Sequence, residues 1–169
     1  MKIPRIALAA YGFAILIVVI DQLTKAWVLG ELGLSFEGQS HTVLDPIFNI
    51  TLVHNEGVSF GLFGDGSARW LLIAFSIAVS IFLAVWATKA DRRLLISAIG
   101  LVMGGALGNV IDRIRFGFVV DFLDFSGTGF FPWVFNVADS AITIGVILLI
   151  LDSVLSERAA KVGVAAEKS

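Results

Sequence analysis

The sequence predicts an all-α membrane protein in which four transmembrane helices carry a small β-sheet cradle on the outer surface. Three observations lead to this fold class. Apolar residues make up 57% of the 169 positions and charged residues only 15%, a balance too apolar for an ordinary soluble domain. Four apolar stretches are long enough to cross a bilayer. A long segment between the first two of them contains no basic residue.

The predicted helices follow from length, since about 20 apolar residues rising about 1.5 Å each cross about 30 Å of hydrocarbon. The spans form a single domain and cover residues 6–29, 70–87, 94–111 and 135–151. Asn136 and Asp139 interrupt the first turn of the fourth span, which makes its boundary the least regular. The polar tail from residue 156 onward is predicted to fray.

Basic residues predict the orientation, because cytoplasmic loops of membrane proteins are enriched in Lys and Arg. Segment 30–68 contains neither residue. The basic residues counted lie before the first span, between the second and third, and after the fourth: Lys2, Arg5, Lys89, Arg92, Arg93, Arg158, Lys161 and Lys168. Both termini are therefore expected in the cytoplasm, and segment 30–68 outside.

The outer segment 30–68 is expected to form the cradle. Residues 47–53 are rich in β-branched and apolar side chains and follow Asp45-Pro46, a pattern that favours a strand. The glycines after it break the pattern: Gly57, Gly61, Gly64 and Gly66. We expect a small twisted sheet on the membrane surface, followed by a glycine-rich loop.

Several polar residues of the spans are expected at one depth. Asp21 lies about 22 Å from the inner end of the first span, and Asn109 and Asp112 lie about 22 and 27 Å from that of the third. Asp139 lies about 6 Å below the outer end of the fourth. All four converge on the outer third of the bilayer. Arg113 follows Asp112 directly and must meet different neighbours, which favours a structural role.

Two features of this layer have structural interpretations. Gly100, Gly104 and Gly108 recur every four residues, a spacing that lets a neighbouring helix approach closely. Asp21 and Lys25 are four residues apart on one helix and can form an ion pair. Packing and pairing therefore account for these residues without a role in catalysis.

Asp121 and Asp139 flank the short connection between the last two spans. Asn136 stands three residues before Asp139, which resembles a capping box at a helix start. Asp121 is expected in the adjoining loop. Two carboxylates close together must share or keep a proton near neutral pH. The residues alone leave three roles open for Asp139: catalysis, helix capping and ion transport.

Three chemistries are compatible with membrane carboxylates. Two aspartates that share a proton can activate water and polarise a carbonyl, as in aspartic peptide hydrolysis. A proton-coupled carrier also uses such groups, but four spans without an inverted repeat, polar in one outer layer only, do not make a pathway across the bilayer. A Ser-Lys hydrolase would need Lys25 as its base, although Asp21 keeps that amine charged.

The serine candidates for a Ser-Lys pair are Ser59, Ser126 and Ser140.

The cysteine and histidine content excludes further classes of site. With no Cys in the chain, thiol nucleophiles and Cys-bound metals are excluded. His41 and His54 are thirteen residues apart outside the membrane without a His-Glu-x-x-His motif, so a metal site is not expected.

Five motifs in order resemble lipoprotein signal peptidase, also called signal peptidase II. They are DQLTK at 21–25, NEGVSF at 55–60, GGALGN at 104–109 followed by Asp112-Arg113, VVDF at 119–122, and FNVADSAIT at 135–143. The resemblance covers nearly the whole chain, and several motifs at matching spacings are far more specific than any single one.

The resemblance implies an aspartic endopeptidase of the bacterial inner membrane that cleaves diacylglyceryl-modified prolipoproteins just before the lipidated Cys. It implies that Asp121 and Asp139 are catalytic, and that a further set binds substrate or supports the dyad: Asp21, Lys25, Asn55, Gly57, Asn109, Asp112, Arg113 and Asn136. It also implies an active site near the outer face, inhibition by cyclic peptides of the globomycin type, contact with membrane lipids, and no metal or organic cofactor. The outer loop is then expected to fold over the substrate, with Gly57 and Gly61 allowing close approach of the backbone. A monomer without a nucleic-acid partner is expected.

Overall fold

Four helices dominate the structure, a computed structural model that describes residues 4–57 and 67–167. They are α1 (Arg5–Gly30), α2 (Ser67–Ala87), α3 (Arg93–Arg115) and α4 (Val137–Glu167). Each is long and apolar enough to cross a membrane. The predicted four-helix membrane architecture is confirmed.

Helix α3 is the centre of the bundle. In its most apolar 18-residue window 72% of the residues are buried, against 22% in each of the other helices. The other three helices therefore surround α3 and turn most of their apolar side chains outward, as a bilayer requires.

Small residues allow this close packing. A Cβ added at Gly100 would lie 2.8 Å from the Ala10 carbonyl oxygen, and one at Gly104 would lie 2.7 Å from that of Ala14. The glycine face thus lies against α1, which confirms its predicted packing role. Gly105, which sequence reasoning did not single out, lies against the backbone of Ala138 in α4.

The predicted cradle is a four-stranded antiparallel sheet with strand order β1-β2-β3-β4. Its strands are β1 (Ser40–Leu44), β2 (Phe48–Asn55), β3 (Val119–Asp124) and β4 (Val134–Phe135). The strand predicted at 47–53 corresponds to β2. Confining the cradle to 30–68 was wrong, because β3 and β4 come from the connection between α3 and α4.

An apolar cluster attaches this sheet to the helices. Val28, near the C-terminal end of α1, packs in one buried cluster with Ile50 and Leu52 of β2 and with Val120 and Phe122 of β3. The sheet is therefore fixed at the end of the bundle where α1 and α3 end and α4 begins, and β3 is held where its polar side chains meet α3 and α4.

The fourth helix differs from its predicted span of 135–151 at both ends. Phe135 belongs to β4, and the helix begins at Val137 because Asn136 caps it. It continues to Glu167, beyond residue 156, where the sequence predicted fraying. Midway along α4, buried Asp152 accepts hydrogen bonds from Arg92 Nε at 3.0 Å and Nη2 at 2.6 Å, tying α4 to the start of α3.

Candidate active site

Asp139 is positioned by the first turn of α4. Asn136 Oδ1 accepts the backbone N–H of Asp139 at 2.9 Å, and Asp139 Oδ2 accepts the backbone N–H of Asn136 at 3.4 Å. This reciprocal pair is the predicted capping box, with Asn and Asp in place of longer side chains. The capping role of Asp139 is thus real, and it leaves Oδ1 available for another partner.

Asp121 lies on strand β3 rather than in the expected loop. It pairs with Val53 of β2, and Asn55 Nδ2 at the end of β2 donates to Asp121 Oδ2 at 2.9 Å. Its residue exposure is only 1%. The sheet therefore holds this carboxylate rigidly and almost out of contact with solvent.

Asn136 joins the two aspartates. Its side-chain Nδ2 donates to Asp121 Oδ1 at 2.6 Å, while its backbone N–H contacts Asp139 as described above. Asn109 completes the link, since its Nδ2 donates to Asp139 Oδ1 at 2.8 Å and its Oδ1 accepts Asn136 Nδ2 at 3.4 Å. The structure thus brings Asp121, Asp139, Asn55, Asn109 and Asn136 into one connected network.

No cation contacts this aspartate pair within the described residues, where the salt bridges involve other carboxylates. Burial, with the negative charge of Asp139 as the second cause, raises the pKa of Asp121 to about 7. Hydrogen bonds from Asn55 and Asn136 and the charge of Lys25 oppose this rise. At a pH near 7, Asp121 is therefore protonated in about half of the molecules and can serve as a general acid.

An ionic cluster adjoins this network, and Lys25 Nζ donates to Asn109 Oδ1 at 3.4 Å. Lys25 Nζ contacts Asp21 Oδ2 at 2.9 Å and Asp112 Oδ2 at 2.7 Å, which confirms the predicted Asp21–Lys25 pair and adds a second partner. The side chain of Lys25 is 3% exposed and both carboxylates are inaccessible. Gln22, to which sequence reasoning gave no role, donates to Asp112 Oδ1 at 2.8 Å.

The ionic cluster holds the backbone just before each candidate catalytic residue. Asp21 Oδ1 accepts the N–H of Ala138, which precedes Asp139, at 3.0 Å. Asp112 Oδ2 accepts the N–H of Val120, which precedes Asp121, also at 3.0 Å. Lys25 links the two anchors, so one buried ammonium fixes the relative position of β3 and α4.

Asp121 opens into a groove of about 790 Å³ below the sheet. Its lining includes Asn55, Gly57 and Arg113 from the predicted set, and Trp133, which was not in that set. Asp139 is half-buried and is not among the lining residues. Ser59 and Gly61 of the predicted covering loop lie outside the described residues.

Gly57 and Arg113 shape one wall of the groove. Gly57 has φ +81, and a Cβ there would lie 2.5 Å from Leu72 Cδ1 and 3.2 Å from Arg113 Nη2, so only glycine suits this position. The buried Nε of Arg113 has no hydrogen-bond partner among the described residues. Arg113 Nη1 donates to the Asn109 carbonyl oxygen at 3.5 Å, so this wall of the groove places a positive charge next to the aspartate network.

Neither histidine contributes to a metal centre in the described part of the chain, where no cluster of three candidate ligands occurs. His54 lines the groove and stacks on Phe118 with ring centroids 3.9 Å apart, whereas His41 lies exposed on β1. The network instead offers paired carboxylates, amide donors and a groove for an extended chain.

Comparison with known proteins agrees with this chemistry. The family model of signal peptidase (SPase) II matches residues 13–155. The chain belongs to the signal peptidase II family. It is 55% identical to the lipoprotein signal peptidase of Caulobacter vibrioides over 159 residues, with 93% of each chain covered. It is 47% identical to that of Shewanella loihica over 153 residues, covering 88% of this chain and 87% of the relative.

A solved bacterial membrane enzyme, determined by the in meso method at 2.3 Å resolution, has the same fold. It superposes with a TM-score of 0.74 at 34% identity, and 90% of each chain is covered. Membership in the signal peptidase II family makes the chain a membrane peptidase, which agrees with its four candidate spans.

Proposed function

We propose that Asp121 and Asp139 are the catalytic dyad of an aspartic endopeptidase. The ionised member removes a proton from water while the protonated member donates a hydrogen bond to the scissile carbonyl oxygen. Collapse of the tetrahedral diol passes a proton to the leaving amine and returns the dyad to one shared proton. The observation that carries the proposal is the direct contact of Asn136 with both carboxylates, with no cation bonded to either in the described residues.

The other predicted residues take three roles in this proposal. Asn109 and Asn136 orient the dyad through the hydrogen bonds described above. Asn55, Gly57 and Arg113 line the groove and contact substrate, with Arg113 supplying donors for peptide carbonyl oxygens. Asp21, Lys25 and Asp112 hold the backbone and do not touch the reacting atoms. No step requires a metal or an organic cofactor.

The substrate is a diacylglyceryl-modified prolipoprotein, cleaved just before its lipidated Cys. The names of the relatives support this substrate class. Depth supports it as well, because a signal peptide inserted with its basic end in the cytoplasm presents its cleavage site and lipid at the outer leaflet. The dyad lies at the junction of the outer sheet with α4, where that bond would arrive.

The enzyme lies in the bacterial inner membrane with both termini in the cytoplasm and acts as a monomer, since one chain supplies both aspartates.

Because the natural sequence has no Cys, a single introduced cysteine reports topology cleanly. Glu37 and Lys89 are both exposed. Glu37→Cys should react with an impermeant maleimide in cells whose inner membrane is intact, whereas Lys89→Cys should react only after lysis. The opposite labelling would overturn the orientation.

Two alternatives fit less well. A Ser-Lys mechanism needs a neutral Lys25, but this ammonium is buried between two carboxylates, and Ser140 Oγ donates to the Asn136 carbonyl oxygen. Ser126 lies beyond β3 in the sheet connection, and Ser59 is outside the described residues. Family membership favours a peptidase over a proton-coupled carrier.

The test is incubation of the purified protein with lipidated and unlipidated forms of one prolipoprotein, followed by mass measurement of the products. We expect cleavage just before the modified Cys, much slower cleavage of the unlipidated form, and inhibition by a globomycin-type cyclic peptide competing for the groove. Cleavage at another bond, or no preference for the lipid, would contradict the proposed substrate.

A further inference from the structure

Two cavities lie along α1 and α3 and share no lining residue with the candidate catalytic groove. The inner one has a volume of about 410 Å³ and the outer one about 330 Å³. On α1 they are lined at intervals of three or four residues, which is one face of a helix: Tyr11, Ile15, Val18, Gln22, Ala26 and Leu29. We name these two cavities together the α1–α3 groove.

The lining of α3 shows the same spacing. Leu107 and Ile111 line the inner cavity and Arg115 lines the outer one, at intervals of four residues. From Leu107 to Arg115 the helix rises about 12 Å. The α1–α3 groove therefore has one cavity in the apolar interior of the bilayer and one at the last residue of α3, at the outer interface.

The chemistry changes along the α1–α3 groove. Its inner part is apolar, and the hydroxyl of Tyr11 is engaged, since it donates to the Ala84 carbonyl oxygen at 2.9 Å. Its outer part contains exposed Arg115, whose Nη1 donates to Gln22 Oε1 at 3.2 Å and whose Cζ lies 4.8 Å from the Phe116 ring centroid. No carboxylate of the described residues forms a salt bridge with Arg115.

We propose that the α1–α3 groove binds a glycerophospholipid of the outer leaflet, with an acyl chain in the inner cavity and the phosphate on Arg115. A guanidinium matches the geometry of phosphate oxygens and binds them through paired N–H donors. The apolar part of the α1–α3 groove is followed by Arg115, which forms no salt bridge among the described residues. A ligand with an apolar chain and an anionic head complements this arrangement. A partner helix would fill the apolar part but leave the cation without a counter-ion.

The site is distinct from the substrate's own lipid in chemistry as well as position. A diacylglyceryl group has acyl chains without a phosphate, so it lacks the group that Arg115 recognises. A bound phospholipid would contact α1 and α3 together and stabilise their packing, raising the unfolding temperature through linkage.

Native mass spectrometry of the detergent-purified protein tests the proposal, with three probes: dioleoylphosphatidylglycerol, dioleoylglycerol and glycerol 3-phosphate. The variants are Arg115→Gln, which removes the charge, and Val18→Trp, which fills the inner cavity. Arg93→Gln is the matched control, because Arg93 is an exposed arginine at the opposite end of the same helix.

We expect tight binding of dioleoylphosphatidylglycerol only, weakened about tenfold or more by Arg115→Gln, weakened also by Val18→Trp, and unchanged by Arg93→Gln. The rise in unfolding temperature that the lipid causes should be smaller in Arg115→Gln and Val18→Trp and unchanged in Arg93→Gln. Because this rise is measured relative to each variant without lipid, the test remains valid if a variant is less stable. Equal binding of dioleoylglycerol, equal binding of glycerol 3-phosphate, or unchanged lipid binding by Arg115→Gln would each overturn the proposal.

Discussion

Two pairs of carboxylates lie in one layer of this protein, and they differ in what stands between them. Asp21 and Asp112 are joined by the ammonium of Lys25, at 2.9 and 2.7 Å. Asp121 and Asp139 are joined by Asn136, whose side-chain amide contacts one and whose backbone N–H contacts the other. The first pair is neutralised in part by a cation, whereas the second is held by neutral donors.

This difference separates structure from chemistry. A buried carboxylate with a cation and an amide donor has all its strong interactions satisfied, so the Lys25 cluster is suited to fixing backbone positions. Ionising both of two neighbouring carboxylates without a cation costs free energy. Such a pair therefore keeps one proton between the two groups. The Lys25 cluster thus supplies rigidity, and the Asn136-linked pair supplies an acid and a base.

The largest expected effect follows from removing either member of the Asn136-linked pair. Asn has nearly the size of Asp but cannot act as a base, so Asp121→Asn and Asp139→Asn should each lower kcat by about 1,000-fold or more. The two residues act as a unit, so the double variant should be little slower than either single one. Multiplied effects in cleavage assays of the lipidated substrate would show that the aspartates act independently.

Removing the cation of the other pair should act first on stability. Lys25→Met leaves two buried carboxylates without a counter-charge, which should lower the free energy of unfolding by about 3–5 kcal/mol. Thermal unfolding in detergent measures this loss. Lys161→Met is the matched control, because its ion pair with Glu157 is exposed and should contribute only about 0–1 kcal/mol. Equal stability of the two variants would contradict the anchoring role of Lys25.

The glycine face gives a smaller effect of the same kind. A Cβ at Gly108 would lie 2.7 Å from Asp21 Oδ2, so Gly108→Leu should displace Asp21 from the Ala138 N–H and cost about 1–3 kcal/mol. Gly12→Leu on α1 is the control, because nothing lies within 4 Å of a Cβ there. We expect lower yield, unfolding temperature and activity for Gly108→Leu alone; a fully stable and active Gly108→Leu would refute the packing role.

The smallest effect is a shift in pH dependence. Burial and then Asp139 raise the pKa of Asp121 to about 7, so the acid proton is present below that pH and is lost above it. We expect kcat/KM to fall about tenfold per unit once the pH rises well above 7. Asn55→Leu removes a hydrogen bond that favours ionised Asp121, so the fall should move to higher pH. If the fall of kcat/KM at alkaline pH were unchanged in this variant, Asp121 would not be the acid whose titration causes it.

Local patterns in the sequence predicted the helices and much of the candidate site. Apolar length predicted four spans, the spacing of Gly100 and Gly104 predicted a close contact with a neighbouring helix, and Asn136 with Asp139 predicted the cap. Each of these signals lies within a few turns of one helix, where period and spacing are direct consequences of helix geometry.

The features that sequence reasoning missed depend on contacts between distant segments. Strand β3 contains two acidic residues, buried Asp121 and Asp124, which favour a loop when the sequence is considered alone. Its strand pairing depends on β2, and the Asn55–Asp121 contact between the two strands joins residues 66 positions apart. The second partner of Lys25, Asp112 on another helix, and the Asp21–Ala138 contact have no local sequence signal for the same reason. Propensity describes neighbours in sequence, and these groups are neighbours only in the folded chain.

The measurement that tests the central claim most directly compares Asp139→Asn with Asp112→Asn, with cleavage of lipidated prolipoprotein and thermal unfolding recorded on the same samples. Asp139→Asn should unfold near the wild-type temperature and show no measurable cleavage. Asp112→Asn should unfold at a clearly lower temperature and retain cleavage in proportion to its folded fraction. Substantial cleavage by well-folded Asp139→Asn would contradict the aspartic mechanism, and complete loss of cleavage by fully stable Asp112→Asn would contradict the division between the two pairs.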